Sequence, residues 1–313
     1  MDLEEVKYKL NNIISEINNV IVGKEELVTL AVSTLVTEGH LLIEGLPGTG
    51  KTLLAKSLAK AIGGEYRRVQ GHPDVLPSDI LGFHVYKLDG SKVFIPGPIM
   101  ANILLFDELN RTPTRSQSAL IEPMQEFQAS IDGVTYKLPR PFLVIATEVP
   151  AQYALGSYKV METVADRFAV KIKSGYNSPE EEALIIEKAD IIETLPVKSV
   201  LNPNEIIKIK NTLPRIVSIN RSIINYVINI VNSVRRHPQV LYGPSHRAPI
   251  HLVKIARVLA VLDGRDYIIP DDVKKIAVYV IAHRTYVKEE YEVEGVTSEN
   301  IVREVLDKVP VPK

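Results

Sequence analysis

An α/β domain built on a parallel sheet, followed by an all-helical domain, is the fold class this sequence predicts, on three observations. Between residues 41 and 173, five short apolar runs ("HLLIEG", "EYRRVQ", "NILLFDE", "FLVIAT", "FAVKIK") alternate with helical stretches, as strands covered by helices on both faces do. Two Asp-Gly pairs, Asp89-Gly90 and Asp132-Gly133, lie between β-prone residues and predict two β-hairpin insertions. Beyond "KSGYNSPEEEA" the periodicity is almost wholly helical. A boundary near Asn177 therefore separates residues 1–176 from 177–313.

The chain opens with Val6, Leu10, Ile13, Ile14 and Ile17 at helical spacing, and Gly23 separates that helix from a second one reaching Gly39. Whether this segment packs on the α/β domain or serves as a partner-binding arm is open at this stage. After the first strand comes "LIEGLPGTGKTLLAKSLAK", in which Gly45, Gly48, Gly50, Lys51 and Thr52 complete the pattern G-x-x-x-x-G-K-[ST] in strand–loop–helix context. Backbone N–H groups must close around a phosphate chain, and glycine permits both the tight curve and the close approach. Lys51 reaches the β- and γ-phosphates, Thr52 offers a hydroxyl to Mg²⁺, and the following helix turns its positive end to the anion. Pro47, Thr49 and Leu53 lie in the same nucleotide-binding stretch. A glycine-rich turn that binds nothing is the alternative, and the complete match argues against it.

"NILLFDELNR" delivers Asp107 and Glu108 at the C-terminal end of an apolar strand, where ligands sit in open α/β sheets. In that position Asp107 holds Mg²⁺, directly or through its waters, and Glu108 polarises an attacking water as general base. A glutamate beside the magnesium aspartate favours hydrolysis over transfer to a second substrate. In the helical part, "PNEIIKIKNTL", "NRSIINYVINIVNSVRRH", "APIHLVKIARVLAVLDG" and "PDDVKKIAVYVIAHR" each read as a helix, Pro270 and Asp271 marking a start.

The 313 residues carry 37 basic and 38 acidic side chains, so nucleic acid and anionic membrane are not expected partners. The absence of cysteine excludes disulfides, thiol catalysis and cysteine-type zinc sites. With no apolar run of about 18 residues and no signal-peptide pattern, the expected location is cytoplasmic. His72, His84 and His246 read as surface or packed groups, and "SVRRHP" as the basic end of a helix.

Taken together, "EGLPGTGKT", "FDELNRTPTRSQSALIEPMQE", "IDGVTYKLPRPFLVIAT", "DRF" and "GPSHRA…LDGRDYIIPDDVK" resemble the MoxR family of AAA+ ATPases over nearly the whole chain. The resemblance implies an AAA+ P-loop NTPase domain with an all-α lid, a homo-oligomeric ring, usually a hexamer, and ATP and Mg²⁺ bound between neighbouring subunits. It implies chaperone-like remodelling, assembly or activation of a partner protein, often one with a von Willebrand A domain. It turns both hairpins toward the ring's centre, matches Arg167 to an arginine finger reaching a neighbour's γ-phosphate, and matches Arg247 to sensor 2, which would let the helical lid feel the γ-phosphate. Where the family commonly has Ala-Thr-Gln-Asn-Pro, this chain has Ala146, Thr147, Glu148, Val149 and Pro150, so Thr147 or Glu148 is left to orient the water. "GSYKVMETVADRF" also lacks the family's usual prolines. A nucleotide-gated scaffold with negligible hydrolysis, a nucleic-acid motor or loader, and a chelatase-like metal-insertion ATPase are the rival readings.

Overall fold

The computed structural model describes residues 1–150, 153, 158–189 and 197–312. Helices α1 (Leu3–Asn18) and α2 (Glu25–Val36) come first. The α/β part runs β1 (Leu41–Glu44), α3 (Lys51–Ala61), β2 (Tyr66–Gln70), α4 (Pro77–Leu81), β3 (Gly82–Tyr86), β4 (Lys92–Pro96), β5 (Ile103–Asp107), α5 (Thr114–Gln117), α6 (Ile121–Glu126), β6 (Gln128–Ile131), β7 (Val134–Lys137), β8 (Leu143–Glu148), α7 (Glu162–Ala165) and β9 (Val170–Lys173). Then follow α8 (Pro179–Glu187), α9 (Pro203–Ile216), α10 (Arg221–Arg235), β10 (Val240–Tyr242), α11 (Arg247–Leu262), α12 (Pro270–Ile281), β11 (Tyr286–Val287), α13 (Glu289–Val293) and α14 (Ser298–Lys308).

The five apolar runs form one parallel sheet in the order β2-β5-β8-β1-β9. Alternation along the strands divides the core in two. Leu41, Ile43, Ile103, Leu105, Leu143 and Ile145 face one side with α1, α2 and α3, while Leu42, Leu104, Phe106, Val144 and Ala146 face the other with Leu120, Met124 and Phe142. Each such side chain, fully buried, contributes about 1.5–3 kcal/mol. The first cluster continues into the helical part through Leu252, Ile255, Ile276 and Val280, so the core does not stop near Asn177. It also takes in Val6, Leu10, Ile13 and Ile17, all fully buried, and α1 packs on α2, α3 and α11. The N-terminal segment is thus packed structure, with its apolar face spent on the body of the protein.

Both hairpins form where the Asp-Gly pairs predict them. Between β6 and β7 the turn is the two residues Asp132 and Gly133, at φ 48° and 79°, the pairing a right-twisted hairpin favours. Between β3 and β4 the connection is longer, Lys87 to Ser91, with Gly90 at φ 80° and the Asp89 carboxylate accepting from the Ser91 N–H at 2.8 Å. The two hairpins are clasped together: His84 bonds the Asp132 carboxylate at 2.9 Å and the Tyr136 hydroxyl at 2.8 Å, and Phe94 stacks on Tyr136 at 4.0 Å. His84 is therefore a packed group. The helical part also contains a small antiparallel ribbon, β10 with β11, that periodicity did not predict, because two or three residues are too few to show alternation.

Candidate active site

A cleft of about 650 Å³ opens between the loop after β1 and the C-terminal ends of β2, β5 and β8. It brings together Gly45, Pro47, Gly48, Thr49, Gly50, Lys51, Thr52, Leu53, Asp107, Glu108 and Thr147, with Val20 and Val197 supplying an apolar wall.

The loop is built as its glycines require. Gly48 and Gly50 have φ 83° and 80°, and open space surrounds both, so bare backbone faces the cleft. Gly50 caps α3, whose first turn carries no acidic residue, leaving the positive helix end uncompensated. Lys51 Nζ donates to the carbonyls of Leu46 at 2.6 Å and Gly45 at 3.1 Å, and to Thr49 Oγ1 at 3.2 Å. Burial lowers its pKa, against the opposing pull of Asp107 and Glu108.

Asp107 ends β5, and the chain turns at once through Glu108, whose φ 57° and ψ 51° are left-handed. That conformation is costly for a residue with a side chain and concentrates at functional sites. The turn is wedged by Gly71, whose N–H donates to the Asp107 carbonyl at 2.6 Å and where any Cβ would collide with the Glu108 carbonyl. Two cations and an amide hold the carboxylates: Arg68 pairs with Asp107 Oδ2 at 2.6 Å, Arg111 with Glu108 Oε2 at 3.0 Å, and Gln70 Nε2 donates to Glu108 Oε2 at 3.3 Å. The Thr52 hydroxyl and the Asp107 carboxylate are hard oxygen donors lining one cleft. They fit Mg²⁺, which keeps most of its shell as water and substrate phosphate rather than taking an all-protein cage. The described residues hold no group of three or more His, Cys, Asp or Glu side chains able to cage a metal.

Thr147 is held against both carboxylates. It is almost fully buried, its hydroxyl proton goes to Asp107 Oδ1 at 2.7 Å, and its oxygen accepts from the Glu108 N–H at 2.8 Å. A hydroxyl has one proton to give, so Thr147 joins the two acidic residues and keeps one lone pair, but no proton, for a water. Glu148 is turned away, its carboxylate 2.6 Å from Lys171, which also pairs with Glu44 at 2.7 Å. Val149 lines the cleft, its backbone clamped by Asn110.

Neither Arg167 nor Arg247 is among the residues lining this cleft. The structure instead brings them to each other: both donate to Gln125 Oε1, at 2.9 Å and 2.8 Å. Arg247 also pairs with Asp166 Oδ2 at 2.7 Å, and the Ser245 hydroxyl reaches Asp166 Oδ1 at 2.6 Å. Burial alone would raise the Asp166 pKa, but Ser245, Arg247 and Arg284 outweigh it and hold the carboxyl below its ordinary value. Arg284 is buried and bonds the carbonyls of Asp166, Phe168 and Ala169, tying the lid to the loop that carries Arg167. Of the stretch from Gly156 to Arg167, where the family's prolines are missing, residues 156 and 157 lie outside the described residues, and the rest runs through Tyr158 into α7.

Sequence reasoning missed Arg68, Gln70, Gly71, Gln125, Val20 and Val197. For Arg68 and Gln70 the stretch "EYRRVQGH" was visible, but only the pairing of β2 with β5, which sets Gln70 opposite Asp107, shows what they face.

A parallel sheet with a glycine-lined phosphate loop, an Asp-Glu strand end and a helical lid defines a P-loop ATPase of the AAA+ type. Residues 40–170 match the model of the ATPase family associated with various cellular activities (AAA), and residues 233–305 that of the AAA lid domain. The chain is 36% identical to chaperone MoxR1 of Mycobacterium tuberculosis, over 98% of this chain and 83% of that protein. It is 40% identical to the uncharacterized protein YeaC of Bacillus subtilis, over 99% and 97%. A crystal structure of a candidate ATPase from Cytophaga hutchinsonii superimposes with a TM-score of 0.90 at 34% identity, covering 99% of this chain and 97% of the other. The chain belongs to the MoxR family of AAA+ ATPases. No described helix is long and apolar enough to cross a membrane.

Proposed function

We propose that this protein hydrolyses ATP at the interfaces of a homo-oligomeric ring, expected to be a hexamer, in the cytoplasm. The energy is coupled to remodelling, assembling or activating a partner protein, for which one with a von Willebrand A domain is the expected kind. The observation that carries the reading is a separation. The cleft has the phosphate loop, the magnesium ligands and Glu108, while Arg167 and Arg247 stand together outside it on Gln125. Arg68, which does line the cleft, is paired with Asp107, so an arginine for the γ-phosphate then comes from a neighbouring subunit. The name of chaperone MoxR1 supports the partner-directed role.

In this reading the glycine loop and Lys51 bind the phosphates, and Val20 and Val197 receive the base. Thr52 and Asp107 hold Mg²⁺, which neutralises phosphate charge when bound. Glu108 takes the proton of the attacking water, and its left-handed turn aims it away from the strand. The neighbour's Arg167 and Arg247 stabilise the charge that develops on the transferred group, a contribution on the order of 10³–10⁵ in rate for such arginines. A second reading, a nucleotide-gated scaffold, is favoured by one feature: with Thr147 committed to Asp107 and Val149 apolar, neither supplies a proton donor to orient the water.

The test is the steady-state ATPase rate as a function of protein concentration, for wild type and Glu108→Gln, with nucleotide binding measured beside it. Hydrolysis at assembled interfaces gives a specific rate that rises with concentration and vanishes in Glu108→Gln, which still binds ATP, whereas Lys51→Ala loses binding. Turnover no higher than that of Glu108→Gln at every concentration would favour the scaffold.

A further inference from the structure

We propose that Gln125 is a positioning residue for ATP hydrolysis: it holds Arg167 of the α/β domain and Arg247 of the lid as one unit and presents them to the neighbouring subunit's nucleotide. The inference rests on the trans-acting arginines proposed above and names the residue that makes a pair of them.

Gln125 lies in the last turn of α6, exposed, and its amide oxygen accepts from one N–H of each guanidinium. An amide oxygen has two lone pairs and no charge, so it can fix two cations in place without neutralising either. Asp166 cannot do the same. Its carboxylate is already taken by Ser245, Arg247 and Arg284. Two guanidiniums thus already share that one carboxylate, and Arg167 and Arg247 meet instead on Gln125. Arg167 depends on this contact most. Its Nε is buried without a partner, and its other bond is to the Thr163 carbonyl of α7, the helix just before it, so among the described residues Gln125 is the one side chain that directs it. Two like charges held around a neutral acceptor repel each other, and a phosphate from outside relieves that repulsion. An arginine pair fixed in this way also carries the lid's position into the neighbour's site, because Arg247 begins a lid helix, α11.

The experiment compares Gln125→Ala, Gln125→Glu, Arg167→Ala and Arg167→Ala/Gln125→Ala in the full chain. Gln125→Ala is expected to lower kcat by about tenfold or more, the loss of a hydrogen bond to a charged group in the transition state, with ATP KM and binding within about twofold. Gln125→Glu keeps the shape but cancels one of the pair's two positive charges, and is also expected to be slow. The double variant is expected to be no slower than Arg167→Ala. In rings mixed from Gln125→Ala and Glu108→Gln subunits, the former contribute an intact Glu108 and the latter an intact arginine pair, so turnover is expected above that of either parent. Three outcomes would overturn the proposal while leaving trans arginines intact, given an impaired Arg167→Ala that Glu108→Gln subunits restore. They are wild-type kcat in Gln125→Ala, wild-type kcat in Gln125→Glu, or a slow Gln125→Ala that mixing does not restore. Wild-type turnover in Arg167→Ala would instead overturn the shared-site reading itself, and this inference with it.

Discussion

The Thr147 hydroxyl donates to Asp107 Oδ1 at 2.7 Å, so the residue the resemblance offers for orienting water is bound to the carboxylate proposed to hold Mg²⁺. The same oxygen accepts the Glu108 N–H, and one side chain on β8 therefore fixes both acidic residues at the end of β5. Thr147→Val keeps the volume and leaves both partners unsatisfied. A hydrogen bond to a charged group contributes about 1.5–3 kcal/mol, so kcat should fall roughly 10- to 100-fold. Binding of ATP without Mg²⁺ should be unchanged, because the Thr147 hydroxyl is bonded to Asp107 and Glu108 and not to the phosphate loop, and Thr147→Ser should retain most activity. Measuring kcat and nucleotide affinity with and without Mg²⁺ checks this. A fully active Thr147→Val would remove the positioning role.

Gly71 has a second hold on the same turn, from the β2 side. Its Cα lies so close to the Glu108 carbonyl that an added methyl would force the turn to move, and its N–H is bonded to the Asp107 carbonyl. Gly71→Ala should lower stability by about 1–3 kcal/mol, as overpacking does. It should lower kcat by more than tenfold, with ATP binding retained, because Glu108 is displaced while the loop from Gly45 to Thr52 is not. Thermal unfolding and turnover on the same preparation separate the two effects. Unchanged kcat would mean that the left-handed turn tolerates a shift.

Local features of this site are legible in the sequence, and features made by strand order are not. Gly45 to Thr52 can be read because every group needed to cradle a phosphate lies within eight residues and its geometry follows from glycine backbone and a helix start. Asp107 and Glu108 can be read because an apolar run ends in two carboxylates. The hold on those carboxylates comes from Arg68, Gln70 and Gly71, which face them only because β2 and β5 are neighbours in the sheet, a long-range pairing that no local pattern encodes. Thr147 is visible as a residue, but the direction of its hydroxyl is set by the register of β8 beside β5. Gln125, Arg167 and Arg247 are far apart in the chain, and meet because α6, the loop before β9 and the start of α11 pack at one corner.

His40 makes the fold acid-sensitive in a way that can be measured. The ring is buried at the start of β1, its Nδ1 accepting from the Val144 N–H at 3.1 Å and its Nε2 donating to the Met124 carbonyl at 2.9 Å. Both nitrogens are satisfied only in the neutral ring, since a proton on Nδ1 would point at the Val144 N–H. Burial drives the pKa down from 6.5 to about 4, outweighing the Met124 carbonyl and Glu38, which favour the charged form. The unfolded chain takes up a proton near pH 6.5 that the folded chain refuses until about pH 4. Stability is therefore highest above that window and falls as the pH drops through it, by about 1.4 kcal/mol per pH unit from this ring and roughly 3 kcal/mol in all. His251 and His283, whose pKa values burial also holds well below 6.5, add to the slope in the same direction. Urea unfolding across this window should show stability falling with acid, and His40→Gln should lose about one proton's worth of that slope. Parallel curves for the two proteins would show that His40 is not the group that titrates.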